Sequence, residues 1–295
     1  MSSVAVEVAG PRGEELRVGR LLPVALAAVG FVVLFWRPLD MLVRDWWTDP
    51  EAGHGLLIAP LALWLAWRSG VDEQARPQVK LGLVLLVSAV VLRYLAGLAG
   101  EWFTMRFSAL LAGAALVVYW RGLPQLRRWW LPAVLLLLSI PLPEMVVGTL
   151  ALPLQLQASK LGAALLHWRD VPVQLAGNVI QMPGRSLFVT EACSGLRSLT
   201  ALVALGVLIG GMWLKHPVSR WLIVLAALPV AVLLNGLRVF LTGFLVYFVD
   251  PVLGTGFMHM SEGWAVFVVA FLILGGVAAL LVRLEARLRL EGRAS

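Results

Sequence analysis

The chain is poor in cysteine, histidine and charge. It has one Cys and four His, and its 24 Lys and Arg with 17 Asp and Glu make up 14% of 295 residues. A single cysteine excludes an internal disulfide, so pairing says nothing about the redox compartment. With four histidines and no His-Glu-x-x-His pair, metal catalysis has no support: His259 and Glu262, at i and i+3, supply only two ligands. No cofactor motif is present, and there is no internal repeat or low-complexity stretch. So little charge beside 60% hydrophobic residues and a mean hydropathy of +0.87 excludes an ordinary soluble domain. The net charge of +7 does not point to nucleic acid, because the basic residues lie in short loops between apolar runs, as orientation signals do.

What remains is an all-α polytopic membrane protein. At roughly 20 apolar residues per crossing, eight crossings are predicted, over 21–36, 55–67, 81–99, 107–120, 129–140, 193–214, 221–249 and 263–282. The first follows Arg12, Arg17 and Arg20 without a cleavage site and reads as an uncleaved signal anchor. With both termini cytoplasmic, segments 1–20, 68–80, 121–128, 215–220 and 283–295 hold 15 of the 24 Lys and Arg, the expected inside bias. This gives a cytoplasmic tail over 1–20, one polytopic domain over 21–282 and a basic cytoplasmic tail over 283–295. The count requires that 145–168 not cross. Pro141, Pro143, Glu144, Gln155, Gln157 and Lys160 interrupt that stretch, which reads as an interfacial helix on the outer face. Between 169 and 191, alternating apolar residues around Pro183-Gly184 predict a small extracytoplasmic β-hairpin leading to the cysteine.

That cysteine stands in Glu191-Ala-Cys193-Ser-Gly-Leu-Arg197-Ser, where a polar run gives way to a long apolar helix. A thiol at a helix N-terminus ionises more readily than the free value of about 8.5. Arg197, four residues on, adds charge on the same face. The bland alternative is a buried, inert cysteine. A second unusual residue is Arg238, in Asn235-Gly236-Leu237-Arg238 within the apolar run 221–249. An arginine there is costly and marks a functional candidate, against the alternative of snorkelling to the interface. Twenty-nine residues of helix would reach ~43 Å across a core of ~30 Å, which predicts a break at Asn235-Gly236. His259 falls in the outer loop before the last crossing. Cys193, Arg238 and His259 thus share one side and one depth. A thiol nucleophile, a proton-exchanging imidazole and a guanidinium for the oxyanion make up acyl-transfer chemistry. His54 opens the second span on the same side and either orients substrate or sits at the interface; His167 and His216 receive no role.

The pieces Glu191-Ala-Cys193-Ser-Gly-Leu-Arg197-Ser, Asn235-Gly-Leu-Arg238 and Phe257-Met-His259-Met-Ser-Glu-Gly-Trp264, with Gly53-His54-Gly-Leu-Leu-Ile-Ala-Pro60 upstream, resemble the exosortase/archaeosortase family of multi-spanning transpeptidases over roughly residues 35–285. The resemblance implies Cys193 as nucleophile, Arg238 as oxyanion or thiolate stabiliser and His259 as proton carrier, with Arg197, His54, Asn235 and Glu191 as possible supporting residues. It implies a cysteine protease and transpeptidase of the cell inner membrane, acting at its outer face. The substrates would be secreted proteins with a C-terminal PEP-CTERM-type signal: a Pro-Glu-Pro motif, a transmembrane helix and a basic cluster. The acceptor would be a lipid or envelope glycan amine. Met258 and Ser261 depart from the aromatic residues expected at those positions and bear on substrate fit. Arg238 or Arg185 could pair with the motif's glutamate. Two other readings compete: a transporter or assembly factor for envelope polysaccharide, with Arg238 lining a solute path, and an intramembrane serine protease using Ser194.

Overall fold

A computed structural model describes residues 11–49, 51–189, 196–249 and 256–294, and within its helices it leaves the side chains of 11–21, 197, 256–264 and 289–294 undescribed. Six helices come first: α1 (Pro11–Thr48), α2 (Gly55–Ser69), α3 (Val79–Ala99), α4 (Trp102–Arg121), the short α5 (Leu123–Arg128) and α6 (Trp130–Leu138). Next come α7 (Glu144–Trp168) and three strands, β1 (Gln174–Ala176), β2 (Val179–Met182) and β3 (Arg185–Phe188). The chain then runs through α8 (Leu196–Trp213), α9 (Pro217–Phe248) and α10 (Gly256–Ala294). Among the described residues, five helices are long and apolar enough to cross a membrane, within α1, α3, α4, α9 and α10. α2 and residues 198–213 of α8 form shorter apolar helices. The crossing expected over 129–140 is the nine-residue α6, ~13 Å of helix, less than half a hydrocarbon core.

Small residues decide the packing. Gly82, Ala89 and Ala96 recur every seventh position on α3, and α4 buries Ala109, Ala112 and Ala115. A Cβ on Gly82 would lie 2.5 Å from the Cα of Tyr119, so the two backbones lie against each other as in lipid-embedded helix pairs. Gly100, left-handed at φ 67°, ends α3, and Glu101 caps α4 by accepting from the N–H groups of Phe103 and Thr104. Burial works to raise the Glu101 carboxyl, but these hydrogen bonds and the nearby Arg106 charge outweigh it and hold the group below its ordinary value.

Main-chain bonds gather the basic loops at one end of the bundle. The indole of Trp129 and the side-chain amide of Gln125 donate to Gly70 O, Arg128 donates to Ser69 O, and the Arg220 guanidinium lies 5.2 Å from the Trp130 ring centre. Glu285 of α10 accepts from Lys215 N and His216 N at 3.1 and 3.0 Å, pinning that helix to the α8–α9 turn. The His216 ring, given no role from sequence, accepts from Val218 N and caps α9.

Two expectations need correction. α9 is unbroken through Asn235-Gly236. Gly236 serves close approach instead of a break: a Cβ there would lie 2.6 Å from Leu161 Cβ of α7. Gly243 against Leu166 and Gly162 against Val239 repeat the contact along the same line, so α7 and the second half of α9 run side by side in one direction. The surplus length of α9 is therefore clad by α7 and the sheet. α7 is likewise continuous through Gln155, Gln157 and Lys160, with Pro143 preceding its first turn and Pro153 inside it. The expected hairpin is in fact a three-stranded antiparallel sheet, β1-β2-β3, because Gly177-Asn178 makes a second two-residue turn beside Pro183-Gly184, with Gly177 at φ 64° and Gly184 at φ 73°.

The Gly236 contact is directly testable. Gly236→Leu must push α7 off α9, so it is expected to lower stability by about 1–3 kcal/mol in thermal unfolding of the detergent-solubilised protein. Leu161→Ala in the same chain should recover part of the loss. A Gly236→Leu protein as stable as the parent would show that this approach is not needed.

Candidate active site

The buried stripe of α9 sets the direction of Arg238. Ile223, Ala227, Ala231 and Leu234 form one core cluster with Leu202 and Ile209 of α8 and with Val266, Ala270, Leu274 and Ala278 of α10. Continuing that stripe by one helical step reaches Arg238, which is half-buried, and the next step reaches the buried Thr242, whose hydroxyl donates to Arg238 O at 3.0 Å. Asn235, buried at i−3, completes a polar line on the same side of the helix. Below this line the α8–α9–α10 contact is apolar, and the polarity begins only toward the end opposite the basic loops.

Helix registers place the other segments. On α8, a Cβ at Gly206 would lie 3.3 Å from Val224 Cα and one at Gly210 would lie 3.5 Å from Arg220 Cα. Counting back along α8 while moving forward on α9 sets Leu196, the first residue of α8, near the level of Asn235. On α10 the Glu285 contact fixes the register. The same count sets Gly263 opposite Arg238 and the backbone of His259, in the first turn of α10, about one helical turn (~6 Å) beyond it. The structure thus brings the Arg238 level of α9, the start of α8 and the start of α10 to one end of the bundle. Cys193 and Glu191 lie outside the described residues, as do the side chains of Arg197 and His259.

His54 is held at the junction of α2 and α6. It precedes α2, with Nδ1 3.1 Å from Glu51 O and Nε2 3.0 Å from Leu138 O at the end of α6. Beside it Gly55 makes room for the Trp46 ring, whose indole N–H donates to Ser139 O at 2.7 Å. The His-Gly pair therefore ties the α1–α2 turn to α6, and each ring nitrogen lies within hydrogen-bonding distance of a main-chain carbonyl. Arg185 is engaged as well: it donates to Val246 O, a carbonyl in the last turn of α9 with which a cation interacts favourably.

Three polar arrangements escaped the sequence reading. Arg106 is only 5% exposed and pairs with Asp45 of α1 at 2.5 Å, with Trp102 6.0 Å from the guanidinium carbon. Thr242 joins the polar line of α9, a position that the 235, 238, 242 spacing could have revealed. Asn178 holds Val189 by two hydrogen bonds, Val189 N to Asn178 O at 2.9 Å and Asn178 Nδ2 to Val189 O at 3.0 Å. Among the described residues no group of three His, Cys, Asp or Glu side chains is placed to hold a metal ion.

Compared with known proteins, residues 46–276 match the family model described as transmembrane exosortase. That stretch opens at Trp46 and takes in all three segments that meet at the Arg238 level. No curated protein and no solved structure matches the chain.

Proposed function

Because this multi-pass membrane chain belongs to the transmembrane exosortase family, we propose that it is a cysteine transpeptidase acting on the C-terminal sorting signals of secreted proteins. The observation that carries the reading is the meeting of the α8 start, the polar line of α9 and the first turn of α10 at the bundle end opposite the basic loops. Basic loops face the cytoplasm, so this end faces the exterior of the inner membrane.

In this mechanism the Cys193 thiolate attacks the carbonyl carbon of the scissile peptide bond and a C–S bond forms. The developing oxyanion is held by the Arg238 guanidinium. The C–N bond then breaks as His259 gives its proton to the leaving amine, and a thioester remains on Cys193. An acceptor amine of a lipid or envelope glycan attacks the thioester carbon. His259 takes up the amine's proton, and the thiolate leaves with the chain transferred. A substrate helix anchored in the same bilayer makes the encounter local, a gain of several kcal/mol in effective concentration. The carboxylate of the Pro-Glu-Pro motif would pair with Arg238 or Arg185.

The test uses the single cysteine. Membranes carrying the full chain, mixed with a tagged signal-bearing precursor and quenched early, should yield a hydroxylamine-sensitive adduct whose mass equals the chain plus the precursor cut at its motif. Precursor turnover with no acyl adduct on Cys193 in the quenched samples would reject the thioester.

A further inference from the structure

Val189 is the last described residue before the Cys193 segment, and it is held on every side. Its side chain is 2% exposed, packed in a core with Ile180 and Met182 of the sheet, Leu166 of α7 and Val239 and Val246 of α9. Its backbone N–H and C=O are both taken by Asn178, at 2.9 and 3.0 Å. The same amide nitrogen also donates to Gln155 Oε1 of α7, at 3.4 Å between the heavy atoms, and Gln155 is 6% exposed. α7 in turn lies on α9 through Leu161 at Gly236 and Gly162 at Val239, the positions that bracket Arg238. A continuous line of contacts thus runs from the helix of Arg238 through α7, Gln155 and Asn178 to Val189.

Cys193 lies four positions on from Val189, a reach of at most ~14 Å. Three more lead to Leu196, which is itself 3% exposed. The described chain is therefore anchored on both sides of the Cys193 segment, and the line of contacts ties the first anchor to the helix of Arg238. We propose that Asn178 is a positioning residue that fixes the chain entering Cys193 against α7 and α9, and so sets the distance of the thiol from the guanidinium. This inference rests on the reading of Cys193 as the nucleophile. Turn formation alone does not require asparagine here: aspartate or glycine also suits a two-residue turn beside Gly177. What only the amide supplies is two N–H donors for two acceptor oxygens, Val189 O and Gln155 Oε1. Aspartate would set a carboxylate against both.

The experiment measures precursor processing and the alkylation of Cys193, the one thiol in the chain, across pH in native membranes. Asn178→Ala and Asn178→Asp are expected to lower kcat roughly 10- to 100-fold with KM little changed, the cost of an ångström-scale misplacement. The midpoint of the alkylation profile should move up toward the free-thiol value of about 8.5 as the guanidinium is lost to the thiolate. Gln155→Leu, which removes only the second acceptor, should shift both readouts in the same direction by less, and it serves as the test should Asn178→Ala fail to fold. Full processing and an unmoved alkylation profile in Asn178→Asp overturn the proposal, as does a loss of rate explained entirely by less folded protein. The two readings fail separately: processing that survives Cys193→Ala sinks the nucleophile, whereas an unchanged thiol profile in Asn178→Asp sinks only the positioning role.

Discussion

Replacing Cys193 with alanine is expected to stop processing of a signal-bearing precursor, by at least about 10³-fold, while the protein still inserts and accumulates at the parental level. The size of the effect follows from the role: removing an attacking group abolishes the covalent route, and what survives is only the rate supplied by binding and oxyanion stabilisation. Full-length precursor should build up in the membrane and be visible by its intact tag. Ser194→Ala is the matched control. It removes the neighbouring hydroxyl and should leave the rate near the parental value, which separates the thiol mechanism from a serine protease. A transporter or polysaccharide assembly factor should tolerate Cys193→Ala. Undiminished precursor maturation in that variant would therefore remove the cysteine mechanism, and Ser194→Ala would then separate a serine protease from a non-enzymatic role.

The same residues show how far the sequence could be read. Long apolar runs identify α1, α3, α4, α9 and α10 as helices able to cross a bilayer, because length and hydropathy are local properties. α6 is equally apolar, but composition alone does not distinguish a short helix buried against α2 and α8 from a full crossing, and its nine residues fall short. At Asn235-Gly236 the sequence shows a glycine but not the neighbour that needs it. Length arithmetic suggested a break, whereas Leu161 of α7 requires an uninterrupted helix with a bare Cα. Pro183-Gly184 announced one turn of the sheet. Gly177-Asn178, flanked by Leu175, Ala176, Val179 and Ile180, carries the same kind of two-residue turn signal, but the reading of a single hairpin around Pro183-Gly184 passed over it.

The candidate site rests on a different kind of argument. Cys193, Arg238 and His259 lie far apart along the chain, and only counting residues along helices sets them at one expected depth. The registers from Gly206, Gly210 and Glu285 support that count at the backbone level. Pairwise contacts between distant elements carry no such signal. Arg106 and Asp45 are 61 residues apart, and neither spacing nor hydropathy joins them.

That pair carries the largest stability effect expected outside the site. Arg106 is almost wholly enclosed, while the Asp45 side chain keeps 31% exposure, so the two partners do not suffer equally when one is removed. Among the described residues, Asp45→Ala leaves a guanidinium inside the α1–α4 contact with the Glu101 charge and the Trp102 face for compensation. Leaving a buried charge uncompensated costs about 3 kcal/mol or more, and thermal unfolding in detergent should show it as a clear drop in Tm. Arg106→Met strands the partner that water can reach, so it should cost less than Asp45→Ala. The double variant should be more stable than Asp45→Ala alone, because the stranded cation is gone and the methionine stem still fills the space beside Trp102. This ordering, with Asp45→Ala lowest, distinguishes a charge that needs its partner from a contact that merely fills volume. If the two single losses add in the double variant, Asp45 is not what holds Arg106 in the α1–α4 contact.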